Sequence, residues 1–252
     1  MSRLNGIREP GSTQLRVFLA GFFWLMLSYE VGLGQTNDPD AGKTIVSDEQ
    51  AIHLLHRRQQ TAPAEGSPAP ISEVIAPDAR RLPISELWQD GPVVLLFTSM
   101  TCDHMIRARE DTLRLYQRFG NTIDFAMIYI REAHPVESDE FVSEFVEIPV
   151  VSDPATDSYR RLQAGICQRF FEFPFPVFTD PVDDRTAVEW AGWPSRFYVV
   201  DGEGIVVFQG MLGPWGLKPT KDHELIIDPV PEWLAETGNV KSVEEFLEGF
   251  LE

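Results

Sequence analysis

The alternation of apolar and polar positions changes its period twice near the middle of the chain. Residues 93–98 (VVLLFT) are an unbroken apolar run, which is typical of a short strand covered on both faces of a sheet. From residue 103 to residue 119 apolar side chains recur at helical spacing between charged ones, and a second apolar run follows at residues 123–130 (IDFAMIYI). The pattern predicts a β-α-β unit with two parallel strands, and it places Cys102 at the turn between the first strand and the helix.

A second group of elements is predicted toward the C-terminus. Residues 197–200 and 205–209 flank the turn sequence DGEG and indicate a β-hairpin, and residues 240–251 have the apolar spacing of a helix. A hairpin followed by a helix is the usual ending of a thioredoxin-like domain. Pro194 occupies the position at which that fold has a cis-proline beside a reactive thiol. The predicted fold class is α/β, thioredoxin-like, with a mixed central sheet flanked by helices.

The first 34 residues have the composition of an export signal. Three arginines precede an apolar run at residues 17–27, and small residues follow at 32–34. The run is shorter than the roughly 20 apolar residues that span a bilayer comfortably. We expect residues 1–34 to be a signal peptide or, if it is not cleaved, a short membrane anchor through residues 17–29. The expected location is extracytoplasmic, either periplasmic or secreted.

Residues 35–80 are predicted to form a flexible linker that contains one short helix. Ser47 and Gln50 resemble a capping box at the start of that helix. The stretch TAPAEGSPAP that follows has no periodicity, which favours an extended spacer. The thioredoxin-like domain is therefore expected to occupy residues 81–252.

The formal net charge of −18 excludes some classes of partner. A strongly acidic chain has no general attraction to nucleic acid or to anionic lipid headgroups. The sequence contains no cysteine and histidine cluster with metal-site spacing, so we expect no metal and no bound cofactor. The expected partners are a small-molecule substrate and an external thiol reductant or redox protein. A homodimer is compatible with the sequence, which leaves the oligomeric state open.

Cys102 is the residue with the clearest chemical meaning. Backbone N–H groups and the positive dipole end at a helix N-terminus favour a thiolate, so the position of Cys102 predicts a nucleophile near neutral pH. A CxxC dithiol is excluded because Met105 stands three residues further on. Cys167 lies in the predicted helix SYRRLQAGICQRFF, where core packing and a role as resolving thiol both stay open.

Three strings of residues resemble one known family. They are SMTCDHMIRARE, IDFAMIYIREAHP and WPSRFYVVDGEGIVVFQGMLGPWG, in this order, over about residues 85–220. The iodothyronine deiodinases have selenocysteine in a Ser-x-Thr-Sec turn, then an IYIEEAHP strand end, then a closing PERLYV and GxGPW pattern. On this resemblance the chain is identified as a cysteine-containing homologue within the thioredoxin-like superfamily.

The resemblance implies a catalytic set around the cysteine. Cys102 stands at the selenocysteine position, so it would attack the iodine of an aryl iodide in a reductive dehalogenation. Ser99 and Thr101 would hydrogen-bond the sulfur or pass protons. Glu132 and His134 would deliver the proton that must accompany the loss of iodide.

Three further residues receive roles from the same resemblance. Tyr129 begins the middle motif and joins the implied catalytic set. Arg196 matches the family arginine that is associated with holding substrate, as a carboxylate clamp, and His134 would share in substrate binding. Pro194 would support the site structurally.

The chain also departs from the family pattern at the site. Sulfur replaces selenium at Cys102, which raises the pKa of the nucleophile and slows attack. Arg131 replaces the first acid of the family's acidic pair, and Asp103 and His104 replace a proline pair. A histidine expected further along falls on Ala155, so we expect one member of the family's proton relay to be missing.

Two other functions stay open on the sequence alone. A peroxiredoxin-like peroxide or thiol reductase would use Ser99, Cys102 and an arginine near the sulfur, for which Arg196 is the candidate. A non-catalytic thioredoxin-fold binding module would need none of this chemistry. That second alternative predicts a buried Cys102 with neither Glu132 nor His134 nearby.

Overall fold

A computed structural model describes residues 48–138, 147–213, 216–222 and 241–252 of the chain. Within these ranges the elements expected at the centre of the chain are present, and short elements are added on either side. The helices are α1 (Asp48–Gln59), α2 (Asp103–Phe119), α3 (Asp157–Phe171), α4 (Arg185–Glu189) and α5 (Val243–Phe250), with a 3₁₀ helix at Ile84–Trp88. The strands are β1 (Glu73–Ile75), β2 (Arg81–Pro83), β3 (Val93–Thr98), β4 (Asp124–Tyr129), β5 (Val177–Thr179), β6 (Arg196–Val200) and β7 (Val206–Gln209).

The strands of the described residues make one mixed sheet, in the order β2, β1, β5, β4, β3, β6, β7. β3 and β4 are parallel, with Val93 opposite Asp124 and Thr98 opposite Tyr129. The predicted β-α-β unit is therefore confirmed, and the carboxyl ends of these two strands lie side by side. β6 pairs antiparallel with β3 on one side and with β7 on the other, which is the predicted hairpin.

Two hydrophobic clusters cover the two faces of the sheet, because successive residues of a strand point to opposite faces. Leu95 and Phe97 belong to the cluster that also contains the buried residues of α1. Val94 and Leu96 belong to the cluster that contains those of α2, α3 and α5. We call these sides the α1 face and the α2 face. Cys102 lies on the α2 face.

The starts of the helices follow from their capping residues. The Thr156 hydroxyl accepts the Tyr159 N–H at 3.2 Å ahead of α3, and Ser242 forms a capping box with Glu245 ahead of α5. Cys102 is the N-cap of α2 and makes no side-chain capping bond. In the first turn of α2 the Met105 N–H faces the sulfur, and the His104 N–H donates to the Asp103 carboxylate.

The connection into β6 contains the expected cis-proline. The Trp193–Pro194 peptide bond is cis, and the Ser195 side chain that follows it is buried. The fold thus combines a parallel strand pair around a helix, a cis-proline before an antiparallel hairpin, and a closing helix. This arrangement is the thioredoxin-like α/β fold, as predicted from the sequence.

Residues 48–80 pack into the domain and do not form the flexible linker that their composition predicted. The short helix is present as α1, whose apolar side is buried on the α1 face, and β1 pairs with β2 and β5. The proline-rich stretch is held by backbone bonds, from Gly66 N–H to Val206 O and from Ala69 N–H to Gly204 O, both 2.8 Å. Composition was misleading because these main-chain bonds to the β6–β7 hairpin need no periodic side-chain pattern.

Some predictions fall outside the described residues. They are the export or anchor segment at 1–34, the first part of the linker at 35–47 and the capping residue Ser47. In the part of the chain that the structure describes, no helix has the length and apolar character needed to cross a membrane.

Candidate functional site

The candidate site lies where two parallel strands end. Thr98 and Tyr129, the last residues of β3 and β4, lie opposite one another, and the Ile130 N–H donates to the Thr98 carbonyl at 3.1 Å. The loops that leave these strands, residues 99–102 and 130–134, therefore start side by side. In open α/β sheets ligands bind in the crevice outside such carboxyl ends.

The Cys102 sulfur is buried, with the residue 1% exposed, and it forms no disulfide. Burial and, after it, the neighbouring Asp103 carboxylate raise the pKa of Cys102 to about 11. The Met105 N–H in the first turn of α2 lowers this pKa, as the helix N-terminus was expected to do. The prediction of a thiolate near neutral pH is wrong for this buried state, because the cost of desolvating the charge outweighs the helix N-terminus.

Two buried hydroxyl groups lie beside the sulfur, and the sequence interpretation identified neither of them. One belongs to Thr98 at the end of β3 and the other to Ser195 after the cis-proline. Both lower the pKa of the Cys102 thiol, so both are placed to donate to a developing thiolate. Among the described residues neither hydroxyl bonds a nitrogen or an oxygen, which leaves both available to the sulfur.

Glu132 connects the two loops. One of its carboxylate oxygens accepts the Thr101 N–H at 3.0 Å and the Thr101 hydroxyl at 2.7 Å, and the other accepts the Tyr129 hydroxyl. The Thr101 oxygen in turn accepts the His134 N–H at 2.9 Å. Burial raises the pKa of Glu132, although these donors act in the opposite direction. The cysteine turn and the residues of the middle motif thus form one hydrogen-bonded unit.

Ser99 strengthens the same connection. Its hydroxyl accepts the Ala133 N–H at 3.1 Å, and the Trp193 indole N–H donates to the Glu132 carbonyl at 3.2 Å. Ser99 and Thr101 therefore bind the neighbouring loop, whereas the resemblance had implied that they bond the sulfur or pass protons. The second of these roles stays a prediction. The hydroxyls that face the sulfur belong to Thr98, which precedes Ser99, and to Ser195, which follows the cis-proline.

A carboxylate between two imidazoles completes the site. Asp103 Oδ1 lies 3.4 Å from His104 Nε2 and 3.6 Å from His134 Nε2, and it also accepts the His104 N–H at 2.8 Å. All three side chains are largely buried. His134 is thereby brought to the cysteine turn as expected. Asp103 and His104 were noted only as departures from a family pattern, although their position directly after Cys102 was a signal that they lie at the site.

Arg196 lies on the other side of the sheet. It is opposite Phe97 in the pairing of β6 with β3, so its side chain is on the α1 face, whereas Cys102 is on the α2 face. The guanidinium donates to the Gly210 carbonyl at 2.6 Å and to the Gln59 amide oxygen at 2.8 Å. The implied carboxylate clamp does not fit this position. Arg196 instead attaches α1 and the end of β7 to β6.

Cys167 packs on the α2 face within α3 and is fully buried and not disulfide-bonded. Burial raises the pKa of Cys167 well above its usual value, and the negative charges of Glu132 and Cys102 add to the effect. Cys167 is therefore within electrostatic reach of the site.

Arg131, in the 130–134 loop, belongs to a buried network of ion pairs. Its Nε atom is 2.9 Å from Asp184, which also receives the Arg160 guanidinium at 2.8 Å. Asp153 accepts the Glu132 N–H at 3.1 Å and lies 3.8 Å from Arg131. The network anchors the loop to α3 and to the start of α4. Across the described ranges, no group of three or more histidine, cysteine or acidic residues is arranged to hold a metal ion.

Sequence similarity decides the family. The model of the iodothyronine deiodinase family matches residues 36–226. The chain belongs to the iodothyronine deiodinase family. The deiodinase match begins within the segment that had been predicted as a linker, and that segment contributes α1 and β1 to the fold.

Individual deiodinases resemble the chain at a moderate level. The thyroxine 5-deiodinase of Gallus gallus is 29% identical over 199 residues, which are 74% of this chain and 75% of that protein. The type I iodothyronine deiodinase of Xenopus laevis is 30% identical over 132 residues, or 51% and 48%. The thyroxine 5-deiodinase of Homo sapiens is 29% identical over 154 residues, or 60% and 49%. The chain thus spans about half the length of the frog and human relatives.

Solved structures with a similar arrangement include two bacterial proteins. A conserved protein from Geobacillus kaustophilus matches with a TM-score of 0.45 and 15% identity over 66% of this chain and 76% of that one. The thioredoxin domain of a thiol-disulfide oxidoreductase from Bacteroides vulgatus matches with a TM-score of 0.43 and 14% identity, over 60% and 91%. By its family, this deiodinase homologue is an oxidoreductase.

Proposed function

We propose that this deiodinase-family oxidoreductase removes iodine from an aryl iodide by reduction, with Cys102 as the nucleophile. The observation that carries the proposal is the hydrogen bonding of Thr101, which joins the cysteine turn to Glu132 and His134. A nucleophile next to groups that hold and move protons is the arrangement that reductive dehalogenation requires.

The reaction is a transfer of iodine from carbon to sulfur. The thiol of Cys102 loses its proton, the sulfur attacks iodine, and the carbon–iodine bond breaks with its electron pair left on carbon. That carbon takes up a proton, so the products are the deiodinated arene and a sulfenyl iodide. Sulfur is oxidised and carbon is reduced, and the number of protons is unchanged.

The residues around the sulfur supply the stabilisation that this step needs. The hydroxyls of Thr98 and Ser195 lower the pKa of Cys102 and would hold the thiolate as it forms. Because Cys102 is 1% exposed, substrate must reach a state in which the sulfur is uncovered. Burial keeps the thiol protonated until then, which limits side reactions with other electrophiles.

The enzyme is regenerated by thiols. A thiol displaces iodide from the sulfenyl iodide and forms a disulfide with Cys102, and a second thiol reduces that disulfide. An external reductant serves both steps. Cys167, within electrostatic reach of Cys102, is the candidate for an internal first thiol if the two helices move closer together.

Iodide release from an iodophenol, with a dithiol as reductant, tests the proposal. We expect release by the intact protein and none by Cys102→Ala. The matched control is Cys167→Ala, which removes the other buried thiol and should retain release while external dithiol is in excess. Equal release by wild type and Cys102→Ala, or no release by either, would overturn the proposal.

The two alternative functions, a peroxiredoxin-like reductase and a non-catalytic binding module, each predict a feature of the site that the described contacts do not match. A peroxiredoxin-like site needs an arginine near the sulfur, and Arg196 donates its hydrogen bonds on the α1 face. A binding module would have a buried Cys102 with no acid–base residues nearby. Cys102 is indeed buried, but its neighbour Thr101 is hydrogen-bonded to Glu132 and His134.

A further inference from the structure

The junction of Cys102 and α2 contains a pair of imidazoles that share one carboxylate oxygen. His104 Nε2 and His134 Nε2 lie 3.4 Å and 3.6 Å from the same Asp103 oxygen, and they come from different elements, α2 and the loop after β4. A carboxylate between two imidazoles can stabilise either of them as the cation. A proton can therefore be present on one ring or on the other with the charge of the cluster unchanged.

We propose that Asp103 couples His104 to His134 in a relay, which takes the proton from the Cys102 thiol and returns it to the carbon that loses iodine. This inference rests on the proposed function and assigns two residues of that site. In the relay one proton leaves sulfur for the Asp103-linked imidazoles, and one proton passes from His134 to carbon. Asp103 and His104 are positioning residues, because they act through His134.

The state of the sulfur explains why a relay is needed. Burial and the Asp103 carboxylate raise the pKa of Cys102 to about 11, so the resting thiol keeps its proton. A base must remove that proton at the moment of attack, and an acid must supply one to carbon. The titratable and charged groups around Asp103 include Cys102 at the helix start, His104 on α2, His134 on the opposite loop and Glu132 through Thr101.

Asp103→Asn separates the relay from a merely structural role. The asparagine oxygen can still accept the His104 N–H, so the helix start is preserved. Loss of the negative charge lowers the pKa of Cys102, so alkylation by iodoacetamide near pH 7 becomes faster. Loss of the bridge slows iodide release by about a hundredfold, in the usual range for acid–base catalysis. We therefore expect Asp103→Asn to increase the rate of alkylation and to decrease the rate of iodide release.

The control is Glu110→Gln, which removes an exposed acid from the same helix and should change neither rate. If Asp103→Asn increases both rates, the carboxylate only disfavours the thiolate and the relay is refuted. If both rates fall together with the unfolding temperature, the role of Asp103 is structural and the relay is again refuted.

His104→Gln tests the second imidazole. We expect kcat for iodide release to fall about tenfold or more with KM unchanged, since the substrate is not held by this ring. In the double variant His104→Gln/His134→Gln, kcat should be little lower than in His134→Gln alone, because both residues act in one path. Independent effects that multiply would refute the coupling.

One comparison needs no substrate and so remains informative if the protein releases no iodide. His104→Gln should slow the alkylation of Cys102, and this effect should vanish in the Asp103→Asn background because the coupling runs through the carboxylate. An equal effect in both backgrounds, or none in either, would refute the inference. Absence of iodide release by the wild type, with the coupling present, would refute only the proposed substrate class.

Discussion

The rate at which Cys102 is alkylated should rise steeply with pH, although the residue caps a helix. The perturbation is pH itself, applied to a Cys167→Ser variant in which Cys102 is the remaining thiol. Burial and the Asp103 carboxylate raise the thiol pKa, while the Met105 N–H and the hydroxyls of Thr98 and Ser195 lower it by less. The net direction follows from desolvation, which is the largest cause.

The magnitude follows from the size of the shift. A pKa that rises from 9.0 to about 11 corresponds to about 3 kcal/mol. Near pH 7 about one thiol in ten thousand is then ionised. The same shift adds to stability below the unfolded-state value near 9, and this contribution is lost as pH rises toward 11. The free energy of unfolding should therefore fall in alkali by up to about 3 kcal/mol.

Pseudo-first-order alkylation with iodoacetamide, followed by mass mapping of the Cys102 peptide, measures the effect. Between about pH 7 and pH 9 we expect the rate to rise close to tenfold per unit without a plateau. Ser195→Ala should slow the reaction further because it removes a hydroxyl that lowers the thiol pKa, whereas Ser67→Ala, at an exposed hydroxyl, should not. A rate that is flat from pH 7 to pH 9 would show a thiolate already formed and would refute the reasoning.

Three further predictions concern the surroundings of the site. Burial raises the pKa of Glu132 above its ordinary value of 4.5, so its contribution to stability is complete at acid pH and falls as the pH rises above that value. In urea unfolding, Glu132→Gln should therefore become more stable relative to the wild type as the pH is raised above 4.5, and a constant difference would contradict this. Arg196→Lys should lower the unfolding temperature and leave KM for an iodophenol unchanged, because the hydrogen bonds of Arg196 are structural. A raised KM with normal stability would instead support a role of Arg196 in holding substrate. Gly192→Ala should cost about 1–3 kcal/mol, since a Cβ would lie 2.6 Å from the Phe97 ring, and wild-type stability would contradict this packing.

The central elements of the fold could be predicted because their side chains repeat with the period of the structure. The apolar run of β3 is buried along its whole length, and the periodic positions of α2 face the core. β1, β2 and β5 were missed because a strand of three residues is too short to show alternation. Residues 61–70 were predicted to be a spacer because their backbone bonds to the hairpin leave no mark on the side-chain pattern.

The site could be predicted in outline but not in its electrostatics. The order of the motifs predicted that Cys102, Glu132 and His134 follow adjacent strand ends, because the carboxyl ends of neighbouring parallel strands lie at the same edge of a sheet. The burial of the sulfur depends on contacts made by the whole α2 face, which no local pattern contains. The sequence also could not show whether Arg196 and Cys102 lie on the same face of the sheet. Strand alternation shows that Phe197 points away from the face of Arg196, but not which face holds the cysteine.

A single turnover without reductant tests the central claim most directly. Protein mixed with excess iodophenol and no thiol should form about one deiodinated phenol per chain, because each Cys102 supplies one pair of electrons. Peptide mapping should then find Cys102 oxidised, and Cys102→Ser should form no product. Product formation by Cys102→Ser, or oxidation of Cys102 without loss of iodine from the phenol, would contradict the account.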